Sequence, residues 1–395
     1  MSFEQLQIIK PIYQAITEAG YQEPTPIQEQ AIPILLQGQD ILASAQTGTG
    51  KTAAFAIPII QMLPNSRGIK ALILAPTREL AVQIYESFRI YTKYLNINTA
   101  VVYGGVSIGQ QIKTLRKGVD ILIATPGRLL DLKDQKLVDL RNVKFFVLDE
   151  ADRMMDMGFI IDVKRIAREI PEERQTMLFS ATLPDTIIEL SETLLKNPVR
   201  IAISPEKPTI DAIKQAVFFV SKSNKINLLL SILNVKLVTS ALIFTRTKYG
   251  ANLLLKELQS YKIKADAIHG DKTQAARTKA LNDFKNKKIK VLVATDIASR
   301  GLDIEELSHV INYDIPEDPE TYIHRIGRTG RAGLSGTALS FCSEEEIRLL
   351  KSIEKHLHSK INVIKDHPFA IDITDLNKKK KPKYRKKHRN VRKAR

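Results

Sequence analysis

The stretch "KFFVLDEADRMMDMGF", residues 144–159, sets an apolar run, Phe145–Leu148, directly against three carboxylates, Asp149, Glu150 and Asp152. Acidic residues suit the first turn of a helix, where unpaired N–H groups and the helix dipole are positive. That accounts for the charges only in part. Upstream, the strand-like "DILAS" runs into "AQTGTGKT", residues 45–52, and then into the helical "TAAFAIPIIQML". Gly48 and Gly50 permit a tight turn whose successive amides, from Gln46 and Thr47 through Thr49, point into one hollow. Lys51 is placed to reach the β- and γ-phosphates of a nucleotide, and the Thr52 hydroxyl to ligate Mg²⁺ at the positive end of the following helix. Ala45 stands where the generic phosphate-loop pattern has its first glycine. The strand–loop–helix context supplies what that departure takes away.

A phosphate loop explains the carboxylates. A nucleotide with Mg²⁺ brings the largest local charges in such a site. A carboxylate at the tip of a neighbouring parallel strand can hold the metal's water shell. Asp149 is expected in that role, and Glu150 is expected to take a proton from the attacking water. Phosphoryl transfer asks mainly for positioning and charge stabilisation, which an arginine from elsewhere would complete.

The chain has 395 residues, too many for one ordinary core, and two domains are expected. No apolar run approaches the length of a membrane helix. The start, "MSFEQLQIIK", lacks a basic n-region and does not read as a secretory signal. A single cysteine, Cys342, excludes an internal disulfide framework and points to the cytoplasm. The net charge of +17 is uneven: Lys378 to Arg395 carries twelve Lys or Arg and no acid, leaving about +5 for the rest. That arm cannot bury a core and is expected to be disordered when free, with a nucleic acid as its leading partner.

Short β-rich runs alternate with helical stretches throughout. The strand candidates are "DILASA", "ALILAP", "TAVVYG", "DILIAT", "FFVLDE" and "TMLFSA", then "AVFFV", "ALIFT", "ADAIHG", "VLVATD", "HVINYD" and "GTALSF". Most lack alternation, as strands buried on both faces do, so each half reads as an α/β parallel sheet covered by helices. The Pro-containing "AISPEKPTID" between the halves is a linker candidate. The expected domains are 1–205 and 206–368, followed by a basic tail, 369–395.

Taken together, "AQTGTGKT", "PTRELA" (76–81), Gly104-Gly105, "TPGR" (125–128), D-E-A-D (149–152), "SAT" (180–182), "LIFTRT" (242–247), the QxxR spacing of Gln274 and Arg277, "ATDIASRGLDI" (294–304) and "HRIGRTGR" (324–331) resemble the DEAD-box RNA helicases, in family order. Details such as "TAAFAIPIIQMLP" resemble the small bacterial RhlE-like branch. The resemblance implies two RecA-like domains, joined by a short linker, that close on ATP and Mg²⁺. It implies that Tyr21, in "GYQEPTPIQ" with Phe3 upstream, stacks on adenine and that Gln28 reads the base's edge. The family usually places Phe at the position of Tyr21, but either ring can stack. It further implies that Asp303 holds the ribose, that Arg328 and Arg331 act as arginine fingers, and that Asp152, Ser180, Thr182 and His324 couple nucleotide to RNA. The implied RNA contacts are Arg78, Gly105, Thr125 and Arg128 in the first domain, and Arg246, Gly270, Arg277 and Thr295 in the second. These are backbone contacts with little sequence preference. The implied activity is RNA-stimulated ATP hydrolysis with local duplex separation, in ribosome assembly or RNA turnover. Ribosomal or RNA-degradation proteins are possible partners, no membrane is involved, and a monomer is expected. A DNA translocase on the same paired domains and a non-enzymatic RNA clamp driven by the basic arm are the rival readings. "GYQEPTPIQ" and "TPGR" oppose the first, and intact Lys51, Glu150, Arg328 and Arg331 oppose the second.

Overall fold

A computed structural model describes residues 2–45, 48–203, 213–296, 307–329 and 336–371. Gln46, Thr47, Asp303, Arg331, the expected boundary at 205/206 and the basic arm lie outside the described residues. The chain divides into two compact units near residue 208, each built on one sheet. The first sheet comprises β1 (Ile41–Ser44), β2 (Ala71–Leu74), β3 (Thr99–Val102), β4 (Ile121–Ala124), β5 (Phe145–Leu148), β6 (Gln175–Ser180) and β7 (Val199–Ala202). The second comprises β8 (Ile213–Phe219), β9 (Ala241–Phe244), β10 (Ala265–Ile268), β11 (Val291–Ala294), β12 (His309–Asn312), β13 (Gly336–Cys342) and β14 (Asn362–Ile364).

Among the described residues every strand pairing in both sheets is parallel. The first sheet runs β3-β4-β2-β5-β6-β1-β7 and the second β10-β11-β9-β12-β13-β8-β14. The second order repeats the first strand for strand. Two strands were not expected, β7 and β14. Both lie at a sheet edge and leave most of their positions partly or fully exposed, so neither carries the continuous apolar run that marks the central strands. Val220 bridges Ala370, and Ile371 donates to the Phe219 carbonyl, so the second sheet is covered slightly beyond residue 368.

The central strands β2, β4, β5 and β6 are buried at every position. Their side chains alternate between two apolar layers. Ile73, Ile123, Val147 and Met177 join Phe55 and Phe88 of the helices Lys51–Met62 and Arg78–Tyr91. Leu72, Leu122, Phe146 and Leu178 join Leu129, Ile166 and Leu190 on the opposite face. Each fully buried Leu, Ile or Phe stabilises by about 1.5–3 kcal/mol, so these layers hold the fold. Cys342 is buried in β13 with its thiol pushed up to about 12 by burial, the behaviour of a core residue.

One buried carboxylate ties three strands at the end opposite the loops of interest. Asp40, just before β1, accepts from Thr176 N of β6 at 2.8 Å and from Lys196 N at 2.7 Å, and its own carbonyl accepts from Val199 N of β7. Removing it leaves the buried Thr176 N–H and the partly buried Lys196 N–H without their acceptor. Asp40→Ala is expected to destabilise the first domain by about 3 kcal/mol, and Asp40→Asn by less, in urea unfolding followed by circular dichroism.

Candidate nucleotide and nucleic-acid site

Parallel strands release the chain at one edge, their carboxyl ends, where ligands of open α/β sheets bind. Every described site residue expected in the first domain beyond Gln28 sits at that edge. The tips of β1, β5 and β6, neighbours in the sheet, carry the phosphate loop, the acidic run and "SAT". The tips of β2, β3 and β4, also neighbours, carry Arg78, Gly105 and Thr125. The expected nucleotide and RNA positions therefore occupy separate halves of one edge. In the second sheet the expected RNA positions recur on equivalent strands: Arg246, Gly270 and Thr295 follow β9, β10 and β11, the counterparts of β2, β3 and β4.

The phosphate loop turns through Gly48 and Gly50 at φ of 85° and 90°, in the left-handed region open to glycine. Gly50 caps the helix Lys51–Met62, and a Cβ there would overlap the Gln28 amide. Gln28 is buried, donating from Nε2 to the Gly50 carbonyl at 3.1 Å and accepting from Thr25 N at 3.0 Å. That makes it part of a capping box at the start of the helix Pro26–Leu36. Gln28 thus braces the phosphate loop, a contact the sequence reading did not anticipate. Lys51 is buried, donates to the Ala45 carbonyl at 3.0 Å, and its Nζ lies 4.0 Å from Asp149 Oδ1. Thr52 sits beside it, partly exposed.

Asp149 Oδ1 accepts no hydrogen bond, and burial pushes its carboxyl up to about 6 despite Lys51. A carboxylate so placed calls for more positive charge than Lys51 supplies, and a hard divalent cation is the kind of group that fits it. Glu150 follows in a left-handed conformation, φ 57° and ψ 53°, which costs a residue with a Cβ on the order of 1 kcal/mol. The turn swings the chain from β5 into the helix Ala151–Asp156. Arg153, one turn on, donates to Glu150 Oε2 at 2.6 Å, with both side chains buried. Arg153 was missed as a site residue, although its i, i+3 spacing from Glu150 was a readable signal.

Asp152 meets Ser180 and Thr182 because β5 and β6 are adjacent. Asp152 Oδ2 accepts from Ala181 N at 3.1 Å, Thr182 N at 3.0 Å and Thr182 Oγ1 at 3.2 Å. Asp152 N donates to Ser180 Oγ at 3.3 Å.

Tyr21 packs edge-on against Phe3, with centroids 6.2 Å apart, and against Tyr91. Its hydroxyl lies 2.6 Å from the buried Tyr91 hydroxyl, whose pKa is raised chiefly by burial. An open pocket of about 460 Å³ is lined by Ala19, Gly20, Tyr21, Gln22 and Glu23. On the other half of the edge, Gly105 (φ 76°) carries no Cβ, and one there would overlap the Arg78 guanidinium. Arg128 donates to the Val106 carbonyl at 3.3 Å. These two arginines and the Gly104–Val106 loop form one group.

In the second domain, Arg246 donates from Nη2 to the Ile315 carbonyl and to Glu346 Oε1 at 3.2 Å, and its side chain stays partly open to solvent. Glu346 also accepts from the buried Lys225 at 2.7 Å, so Arg246 rests on a buried ionic node. Arg277 and Thr295 are largely buried, and Gly270 is exposed. His269 pairs with Asn252 at 3.0 Å, and burial lowers its pKa. His324 lies on the helix Pro319–Ile326, and Arg328 is buried just after it. Arg325 grips Asp296 through Nε at 2.5 Å and Nη2 at 2.8 Å, and lies over the Phe244 ring. It pairs locally.

A glycine-turned loop at a helix N-terminus, beside an acidic strand tip on a parallel sheet, defines an α/β phosphate-handling protein. Residues 25–190 match the DEAD/DEAH box helicase family and residues 224–333 the helicase conserved C-terminal domain. The chain is 42% identical to the DEAD-box ATP-dependent RNA helicase CshA of Bacillus subtilis, over 93% of this chain and 74% of that protein. It is 43% identical to the DEAD-box ATP-dependent RNA helicase RhpA of Helicobacter pylori, over 92% and 74%. S. cerevisiae Dbp5 bound to RNA and ADP BeF3 superimposes with a TM-score of 0.83 at 34% identity, covering 92% of this chain and 95% of that one. The chain belongs to the DEAD-box helicases, ATP-hydrolysing enzymes of two RecA-like domains. No helix among the described residues is long and apolar enough to cross a membrane.

The tyrosine pair gives a direct test of whether the pocket at Tyr21 takes the adenine base. Tyr91→Phe removes the partner of the Tyr21 hydroxyl and is expected to destabilise by about 1 kcal/mol. It should raise KM for ATP several-fold with kcat retained, in steady-state ATPase assays.

Proposed function

We propose that this DEAD-box helicase acts on RNA, coupling ATP hydrolysis to local separation of duplexes and remodelling of RNA–protein complexes. The observation that carries this reading is that the first sheet's carboxyl edge sets the phosphate loop and acidic run on one half and the positions expected to hold RNA on the other, and that the second domain's expected RNA positions follow the equivalent strands. Tyr21 stacks on adenine while Gln28 holds the phosphate loop in register with the base. Amides of residues 46–50 and Lys51 bind the phosphates, and Asp303 holds the ribose. Thr52 and Asp149 would hold Mg²⁺, which supplies positive charge against the β- and γ-phosphates. Glu150, its carboxylate held by Arg153, accepts a proton from the attacking water. Arg328 and Arg331 stabilise the charge that develops on the transferred phosphoryl group.

Asp152, Ser180, Thr182 and His324 transmit the state of the nucleotide to the RNA positions. Arg78, Gly105, Thr125, Arg128, Arg246, Gly270, Arg277 and Thr295 hold the RNA backbone, which gives binding with little sequence preference. The arm 378–395 adds a further, salt-sensitive RNA contact. The bacterial relatives are named ATP-dependent RNA helicases, which supports RNA as the substrate. We place this chain in the cytoplasm, in ribosome assembly or RNA turnover.

Glu150→Gln is the sharpest test, because it removes the base and leaves the shape. The variant should bind ATP and RNA as the parent does, while kcat falls by roughly 10²–10⁴. An unchanged kcat would remove Glu150 from the reaction. ATPase activity with added RNA or added DNA tests the substrate: stimulation by DNA alone overturns the RNA assignment.

A further inference from the structure

The second sheet carries a basic surface at the end of its strands away from the loops described above. Strands β9, β10 and β11 lie side by side, and lysines precede each of them. Lys236 precedes β9, Lys262 and Lys264 precede β10, and Lys287, Lys288 and Lys290 precede β11. They are neighbours in space: Lys290 N donates to the Lys264 carbonyl at 2.9 Å, and Ala241 N donates to the Lys290 carbonyl at 3.0 Å. All but Lys290, whose Nζ donates to the Leu233 carbonyl, are exposed. Asp283 offsets part of the charge through Lys288 at 3.6 Å. Tyr261, beside Lys262, is 58% exposed.

Lysine at a helix C-terminus is ordinary, since it complements the dipole there. The backbone is less ordinary. Lys262 and Lys287 adopt φ of 59° and 57° in the turns that end the helices Lys248–Ser260 and Gln274–Lys285. Each turn carries the paired hydrogen bonds of a Schellman motif: Lys262 N to Gln259 O with Ile263 N to Leu258 O, and Lys287 N to Phe284 O with Lys288 N to Asp283 O. Glycine suits that position because it has no Cβ. The same chain uses glycine for it at Gly20, Gly38 and Gly158. Lys136 makes the same turn in the first domain, so one left-handed lysine is no signal. Two of them on adjacent strands, within a lysine face that also offers an exposed ring, are.

We propose that this face is an RNA-backbone-binding surface that holds RNA flanking the strand bound at the carboxyl edge. Exposed cations set before three neighbouring strands suit a polyanion, and Tyr261 offers a ring on which a base can stack. The inference rests on the reading that the protein acts on RNA.

The turn itself supplies the test, because Lys262→Gly with Lys287→Gly removes two charges while relieving the backbone. The double variant should melt at or above the parent temperature and keep its RNA-independent ATPase rate. Its affinity for a long single-stranded RNA should fall roughly tenfold or more at low salt, and the slope of log K against log salt should flatten by about 1.4. Lys264→Glu with Lys288→Glu should weaken binding in the same assay. A parent that binds no RNA defeats the functional reading itself. A parent that binds RNA, with variants of unaltered affinity and slope, overturns this surface alone. Loss of binding to polyglutamate with RNA binding intact would reassign the face to an acidic protein partner.

Discussion

Parallel strands can be joined only by crossovers that return over the faces of the sheet, so every strand in such a sheet ends at the same edge. All chemistry in this protein depends on that constraint. Neither the phosphate loop nor the acidic run is a site by itself. They become one because β1 and β5 flank β6, and their loops leave the sheet side by side. The same constraint puts "PTRELA", Gly104-Gly105 and "TPGR" on one half of the edge, though they are scattered along the sequence between the phosphate loop and the acidic run. The second domain reuses the strand order without recognisable sequence repetition. The two domains thus share a topology without sharing a sequence pattern, and each presents the same carboxyl edge.

The charges at the first domain's edge are not there for stability. Lys51, Asp149, Glu150 and Arg153 are all buried. Buried ion pairs often contribute little net stability, because desolvation offsets their attraction. The apolar layers on the two faces of the sheet are ample to hold the fold. A left-handed Glu150 adds a backbone cost and no apolar contact. What the arrangement does provide is two acids and two bases fixed in geometry before a ligand arrives, with one carboxylate oxygen accepting no hydrogen bond. Preorganised charge of this kind is what a reaction dominated by electrostatics requires.

Much of this was legible in the sequence, and the misses share a cause. Strands buried on both faces announce themselves as continuous apolar runs, which is why the central strands were readable. The edge strands β7, "VRIA", and β14, "NVI", are partly exposed and too short or too polar to stand out. The phosphate loop and acidic run were readable because each is a local motif. Pairs made by folding were not readable from pattern: Tyr21 with Tyr91, and Asp40 with Thr176 and Lys196, are far apart in the chain and meet only because of the sheet order. Gln28 shows a subtler limit. Its "TPIQ" context carries a capping-box signature, Thr25 with Gln28, and the structure shows that role together with the contact to Gly50. The family resemblance had drawn the reading toward the base alone.

The two halves of the edge meet where β2 lies beside β5. Asp149 N donates to the Leu74 carbonyl, so the first acidic residue is still stitched to the strand that releases Arg78. On its other side the acidic run is bound to the tip of β6 through Asp152, whose carboxylate holds two backbone N–H groups and a hydroxyl. Hydrogen bonds to a carboxylate contribute roughly 1.5–3 kcal/mol each. Sliding the "SAT" loop away from the acidic run would break several at once. The tips of β5 and β6 are therefore tied to each other, and β2 is the next strand beside them in the sheet. Asp149 and Arg78 thus leave adjacent strands, one strand spacing apart.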